Sequence, residues 1–165
     1  MTLSLILTRH AKSAWNDPAQ DDFDRPLNGR GRNSAIALGN WLVANGHLPD
    51  DVVVSGARRT VETWSRMAPA MPATAAMQSN PALYLASADT MLGVLKAQSA
   101  RTVMMIGHNP GIAQLARQLA KIPPNDHRFG SYPAGATTIY DFDADAWSEI
   151  ASGTAKAFVA VRDLL

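Results

Sequence analysis

Three short runs constrain the fold more than anything else in this chain. Leu3–Leu7, Val52–Val54 and Val103–Ile106 are apolar on consecutive positions, broken only by Ser4. A strand with one wet face alternates apolar and polar residues. A strand that is apolar throughout is covered on both faces, as in a parallel sheet lying between two layers of helix. Between the runs lie segments of helical period: Val61, Trp64 and Ala68; Ala88, Met91, Leu92 and Leu95; Ile112, Leu115, Ala116 and Leu119. A further helix is expected from about Gly31 to Asn45, capped by Asn28, with Ala35, Leu38 and Leu42 on its buried stripe and Gly46 as its stop. The alternation predicts a three-layer α/β/α sandwich with a mostly parallel central sheet. Thr137–Phe142 and Ala157–Val161 read as two more strands, joined by a turn region holding Asp143, Asp145 and Gly153, and the stretch from Pro123 to Pro133 reads as an irregular loop.

With 165 residues, 47% of them hydrophobic, and no repeat or linker, the chain is expected to form a single domain over residues 1–165. Fifteen basic against fourteen acidic side chains create no global field toward nucleic acid or an anionic membrane, so any anion specificity must be local. The absence of cysteine excludes disulfides, thiolate catalysis and cysteine-ligated metals. The apolar runs are too short to span a bilayer, and Leu3–Leu7 leads straight into Arg9-His10, unlike a cleaved signal peptide. A cytoplasmic protein is the simplest reading.

The chemistry gathers where three strands are expected to end. Arg9-His10 follows the first run, Ser55 with Arg58-Arg59 follows the second, and Gly107-His108-Asn109-Pro110-Gly111 follows Val103–Ile106. Ligands of open α/β sheets bind beyond the carboxyl ends of the strands, so these segments are expected to converge. Two imidazoles and two guanidiniums suit a tetrahedral dianion that needs several fixed donors, and phosphate is the obvious candidate. The helix opening at Pro110 adds the anion-attracting potential of its free N–H groups. Gly29-Arg-Gly31 imitates part of a dinucleotide fingerprint, but no strand precedes it and the third glycine is missing. A metal site built from His10, His108 and the Asp21–Asp24 cluster would place a cation among arginines, and no metal-ligand spacing is present, so no metal or cofactor is expected.

Leu7-Thr8-Arg9-His10-Ala11-Lys12-Ser13-Ala14-Trp15-Asn16 resembles the Arg-His-Gly signature of the histidine phosphatases and phosphoglycerate mutases. Ser55-Gly-Ala-Arg-Arg59-Thr-Val-Glu-Thr63 resembles the family's Ser-Pro-x-x-Arg-Ala-x-Gln-Thr, and Gly107-His108-Asn109-Pro110 its second-histidine motif. Asp22-x-x-Arg25-Pro26-Leu27-x-x-x-Gly31 and the terminal Trp147…Val161-Arg162-Asp163-Leu164 look like the short single-domain branch typified by SixA phosphohistidine phosphatases. Ala11, Gly56 and Glu62 depart from the family's Gly, Pro and Gln.

The resemblance implies a phosphoglycerate mutase-like fold and a metal-independent phosphatase that forms a phosphohistidine intermediate on His10. Arg9 and Arg59 would clamp the phosphoryl group, His108 would donate to its oxygens, and Ser13, Asn16 and Asn109 would be auxiliary substrate contacts. Asn80-Pro81-Ala82-Leu83-Tyr84 offers no carboxylate where larger members carry a glutamate acid. Asp22 is therefore the expected leaving-group acid, with Asp21 and Asp24 as rivals in the same loop. The implied substrate is phosphohistidine on a protein, such as a phosphotransfer or carrier domain. A small phosphorylated metabolite on the same site is the alternative, and a non-catalytic phosphate-binding module a third reading. Ser55 and Arg58 read as structural and surface residues respectively.

Overall fold

The structure is a computed structural model that describes residues 1–72 and 75–165. Its strands are β1 (Thr2–Arg9), β2 (Asp51–Ser55), β3 (Ala76–Asn80), β4 (Thr102–Gly107), β5 (Thr137–Asp143) and β6 (Thr154–Val159). Its helices are α1 (Gly29–Ala44), α2 (Arg58–Met67), α3 (Ala88–Lys96), α4 (Gly111–Leu119) and the single turn α5 (Arg128–Ser131). The strands form one sheet in the order β3-β2-β4-β1-β5-β6. The pairs β1/β4, β2/β4 and β2/β3 are parallel, while β5 runs antiparallel to both β1 and β6.

The apolar runs are buried on both faces, as their composition requires. Leu5 and Leu7 of β1, with Val103 and Met105 of β4, pack under Met91 and Leu95 of α3 and Ile112 and Leu115 of α4. Their neighbours Ile6, Met104 and Ile106 turn to the opposite face, where Val52 and Val54 join Leu38 and Leu42 of α1 and Trp64 and Met67 of α2. This is the expected three-layer sandwich with a mostly parallel sheet. Helix α1 starts where Asn28 caps it, the Asn28 side chain accepting from the Gly31 N–H at 2.8 Å, and it stops before Gly46, whose φ of +74° ends it without strain.

Three elements differ from the sequence reading. Strand β3 has no apolar run because it lies at the sheet edge and is largely exposed, so burial leaves no imprint on its composition. Strand β6, the other edge, begins three residues earlier than expected and ends at Val159, since Val161 opens a 3-10 turn. The 123–133 segment contains α5, which the anchoring of Phe129 in the core fixes more than any local pattern. Among the described residues no helix is long and apolar enough to cross a membrane.

Candidate active site

Strand register assembles the site. Arg9 pairs with Gly107 across β1/β4, and Val54 with Ile106 across β2/β4, so the residues that follow (His10, Ser55 and His108) emerge in one row at the carboxyl edge. Because β5 is antiparallel to β1, with Thr137 opposite Thr8, the loop before β5 arrives at the same edge. Its Gly135 N–H lies 3.1 Å from the Arg9 carbonyl and 3.0 Å from that of His10, and its φ of +79° suits glycine. The Ala11 N–H donates to Thr63 Oγ1 at 3.0 Å, which ties the segment after His10 to α2. Gly31 allows α1 to close over the same segment: a Cβ there would stand 2.0 Å from the Lys12 carbonyl oxygen.

His10 is 7% exposed, with Nδ1 at 2.7 Å from the Ala11 carbonyl oxygen. A carbonyl only accepts, so Nδ1 carries the proton and Nε2 keeps a free lone pair. Burial is the main cause that lowers the His10 pKa. The Ala11 bond opposes it, His108, Arg9 and Arg59 add to it, and the result is about 3. At neutral pH His10 is an uncharged imidazole.

Arg59 is almost fully buried and donates from Nη1 to the Asp22 carbonyl at 2.7 Å and from Nη2 to Asp22 Oδ2 at 3.0 Å. Arg9 donates from Nη1 to the Tyr132 carbonyl at 3.2 Å. The Nε–H groups of Arg9 and Arg59 are buried without a partner among the described residues, a costly arrangement for a cation that an anion would relieve. The rings of His10 and His108 stand 5.4 Å apart. Arg59 Nη2 lies 3.4 Å from His108 Nδ1, and because a guanidinium only donates, the His108 proton sits on Nε2, which gives it to Ser55 Oγ at 2.8 Å. Burial first, then the Arg59 charge, bring the His108 pKa down to about 4.

Asp22 joins this group through its hydrogen bonds to the site arginines. Its Oδ1 accepts from Arg25 Nε at 3.1 Å, and its Oδ2 accepts from Arg59 and from the Tyr84 hydroxyl, the latter at 2.5 Å. Burial alone would raise its pKa. The hydrogen bonds from Tyr84 and Arg59, the Arg59 charge and Arg25 outweigh that and bring it to about 2. At neutral pH Asp22 is therefore an ionised carboxylate held by these donors. Its rivals Asp21 and Asp24 are exposed, and neither side chain hydrogen-bonds to a site residue among the described residues.

The auxiliary residues divide. Ser13 is buried and accepts from Arg25 Nη1 at 2.6 Å, which ties it to the arginine that holds Asp22. Asn109 donates to the carbonyls of Ser131 at 2.9 Å and Tyr132 at 3.1 Å, so it braces the acceptor used by Arg9. Asn16 is exposed and makes no side-chain hydrogen bond among the described residues. Sequence reasoning missed Tyr84 and Tyr132. Tyr84 lies in the stretch searched for a carboxylate, where its phenol is the one polar tip that reaches Asp22. Tyr132 is buried in left-handed backbone, φ 50°, a conformation set by the core contacts around it rather than by its own preference.

Residues 5–84 match the model of the histidine phosphatase superfamily, branch 1. An uncharacterised protein of Mycobacterium tuberculosis is 36% identical over 120 residues, which cover 72% of this chain and 73% of that protein. The chain belongs to the histidine phosphatase superfamily. An uncharacterised chloroplast protein of Arabidopsis thaliana is 32% identical over 130 residues, and the match spans 70% of this chain but 58% of that relative's length. Among solved structures, a candidate phosphohistidine phosphatase SixA from Nakamurella multipartitia superposes with a TM-score of 0.81 at 28% identity, over 97% of this chain and 96% of that one. This likeness sets the chain in the SixA-type branch of the superfamily. Phosphoglycerate mutase from Plasmodium falciparum, 22% identical, shares the fold with a TM-score of 0.64 over 97% of this chain and 92% of its own.

The departures of this SixA-type chain from the superfamily motifs are absorbed locally. Glu62 accepts from the Leu27 N–H at 2.9 Å, a bond for which the carboxylate serves as well as an amide oxygen. Ala11 is buried, with its backbone held by Thr63. At Gly56 a Cβ would stand 3.2 Å from the Phe23 ring, so a larger residue there would press on the loop that carries Asp22.

Proposed function

We propose that this superfamily member hydrolyses phosphohistidine on a protein, through a covalent phosphoryl intermediate on His10 and without a metal ion. The observation that carries this reading is the 2.7 Å contact of His10 Nδ1 with the Ala11 carbonyl, which leaves a neutral, oriented Nε2 beside the buried guanidinium of Arg59 and the half-buried one of Arg9. Nε2 attacks phosphorus, the P–N bond breaks as the substrate ring, protonated on its other nitrogen, leaves as neutral imidazole, and Arg9 and Arg59 stabilise charge on the equatorial oxygens. An arriving phosphoryl dianion favours the imidazolium of His108, whose positive charge then stabilises the oxygens alongside the guanidiniums. Water cleaves the P–Nε2 bond, releasing inorganic phosphate and restoring His10.

The state of Asp22 supports phosphohistidine over an alkyl phosphate. An alkoxide leaving group depends on a proton donor, while an imidazole leaves with far less help. Here the carboxylate beside the clamp is ionised. Asp22 organises Arg59 and Arg25 rather than donating.

The test is His10→Ala, with folding checked by circular dichroism and phosphoenzyme trapped by rapid acid-free quench. Wild type accumulates a phosphoryl group on His10 and keeps its activity in chelator, while the variant loses both label and turnover. Near-normal turnover by folded His10→Ala protein, or chelator-abolished activity restored by metal, overturns the mechanism.

A further inference from the structure

A cavity of about 890 Å³ opens beside the nucleophile, bordered by Arg9 and His10 but not by Arg59, His108 or Asp22. Six of the chain's fifteen Lys and Arg residues line it, and no Asp or Glu does, in a chain whose net charge is only +1. The local excess is therefore a feature of this face, not of the whole protein. Two of these cations are already neutralised: Arg128 by Asp126 and Asp163, and Arg25 by Asp22. Lys12, Arg30 and Arg162 are exposed and have no carboxylate partner among the described residues.

Arg30 also breaks a local rule. It stands in the first turn of α1, which contains no acid, where the helix dipole disfavours a cation. Its placement costs helix stability with no compensating ion pair or side-chain hydrogen bond among the described residues, a pattern typical of residues kept for binding. Trp15, which also lines the cavity, is 78% exposed, yet its indole is held in place by the Arg25 guanidinium 3.4 Å above its ring.

We infer that this groove docks the acidic face of a phosphohistidine-bearing protein, with Trp15 as the apolar anchor and Lys12, Arg30 and Arg162 as the charged rim. The inference rests on the phosphohistidine reading above and adds the charge of the partner. A site for a small polyanion would present fixed, buried donors that converge on its charges. These three cations are instead long, exposed and spread around an exposed tryptophan, the arrangement of a protein interface rim around a hot-spot residue.

The experiment uses three peptides with one phosphohistidine each, flanked by Glu, Gln or Lys, together with free phosphohistidine. These are turned over by wild type and by the Arg30→Glu/Arg162→Glu double variant across a series of salt concentrations. Wild type should prefer the Glu-flanked over the Lys-flanked peptide by about tenfold or more in kcat/KM at low salt, with the preference shrinking as salt rises. The double variant should reverse the preference while turning over free phosphohistidine at the wild-type rate. Phosphohistidine turnover that ignores flanking charge and salt overturns the docking surface alone. Failure to cleave any phosphohistidine probe overturns the functional reading with it. Competitive inhibition by a sugar bisphosphate that is stronger than by a Glu-rich peptide, and lost in the double variant, overturns the protein occupant in favour of a small polyanion.

Discussion

The phenol of Tyr84 donates to Oδ2 of Asp22 at 2.5 Å, the same oxygen that Arg59 reaches at 3.0 Å, so one carboxylate oxygen joins the 3-10 turn after β3 to the buried guanidinium of α2. The bond raises the Tyr84 pKa and helps keep Asp22 ionised. If Asp22 organises the clamp, Asp22→Asn should slow nitrophenyl phosphate, phosphohistidine and alkyl phosphate hydrolysis by a similar factor, on the order of tenfold, because the loss does not depend on the leaving group. Initial rates on the three substrates at several pH values check this. A loss that steepens from nitrophenolate to imidazole to alkoxide would restore Asp22 as the acid.

Adjacent arginines should behave very differently. Arg59 is 2% exposed and its Nε–H has no partner among the described residues, while Arg58 is exposed at the start of α2. Arg59→Ala should lower kcat by on the order of 10²–10³, the loss expected for one preorganised donor to transition-state charge. Arg58→Ala should stay close to wild type. Lysine at position 59 should recover only part of the rate, since a point charge lacks the guanidinium fork. Steady-state kinetics on proteins with matched circular dichroism spectra separates these outcomes, and equal losses at 58 and 59 would shift the motif register.

Acid should destabilise the fold through its two site imidazoles. His10 and His108 titrate near 3 and 4 in the folded protein, against about 6.5 when unfolded. Both folded values lie below the unfolded one, so the unfolded chain binds more protons as pH falls from about 6.5 toward 4, and stability drops across that window. Each imidazole contributes about 1.4 kcal/mol per pH unit there. Urea unfolding at pH 7, 6 and 5 should show this slope, reduced by about one proton in His10→Asn and again in His108→Asn. Unchanged slopes would mean that the two rings titrate like exposed histidines.

Much of this protein was written locally. Consecutive burial makes a central strand apolar throughout, so β1, β2 and β4 could be read from their own residues, and a polar group at or just after a strand end keeps its place in the motif, as Arg9, His10 and His108 do and as Arg59 does in the first turn of α2. Helix α1 was legible for the same reason: its cap and stop are single residues, Asn28 and Gly46. What the sequence could not express are the effects that depend on distant partners. An exposed edge strand such as β3 carries no burial pattern. Asn16 follows the signature in order, yet its exposure is decided by the path of the loop and not by the motif. The left-handed turn at Tyr132 is held by tertiary contacts of its hydroxyl with the Leu7 carbonyl and Thr138. The protonation of Asp22 depends on Arg59, 37 residues away, and Tyr84, 62 residues away. A carboxyl group's pKa is set by the charges and donors within a few ångströms of it, and only the folded chain decides which those are.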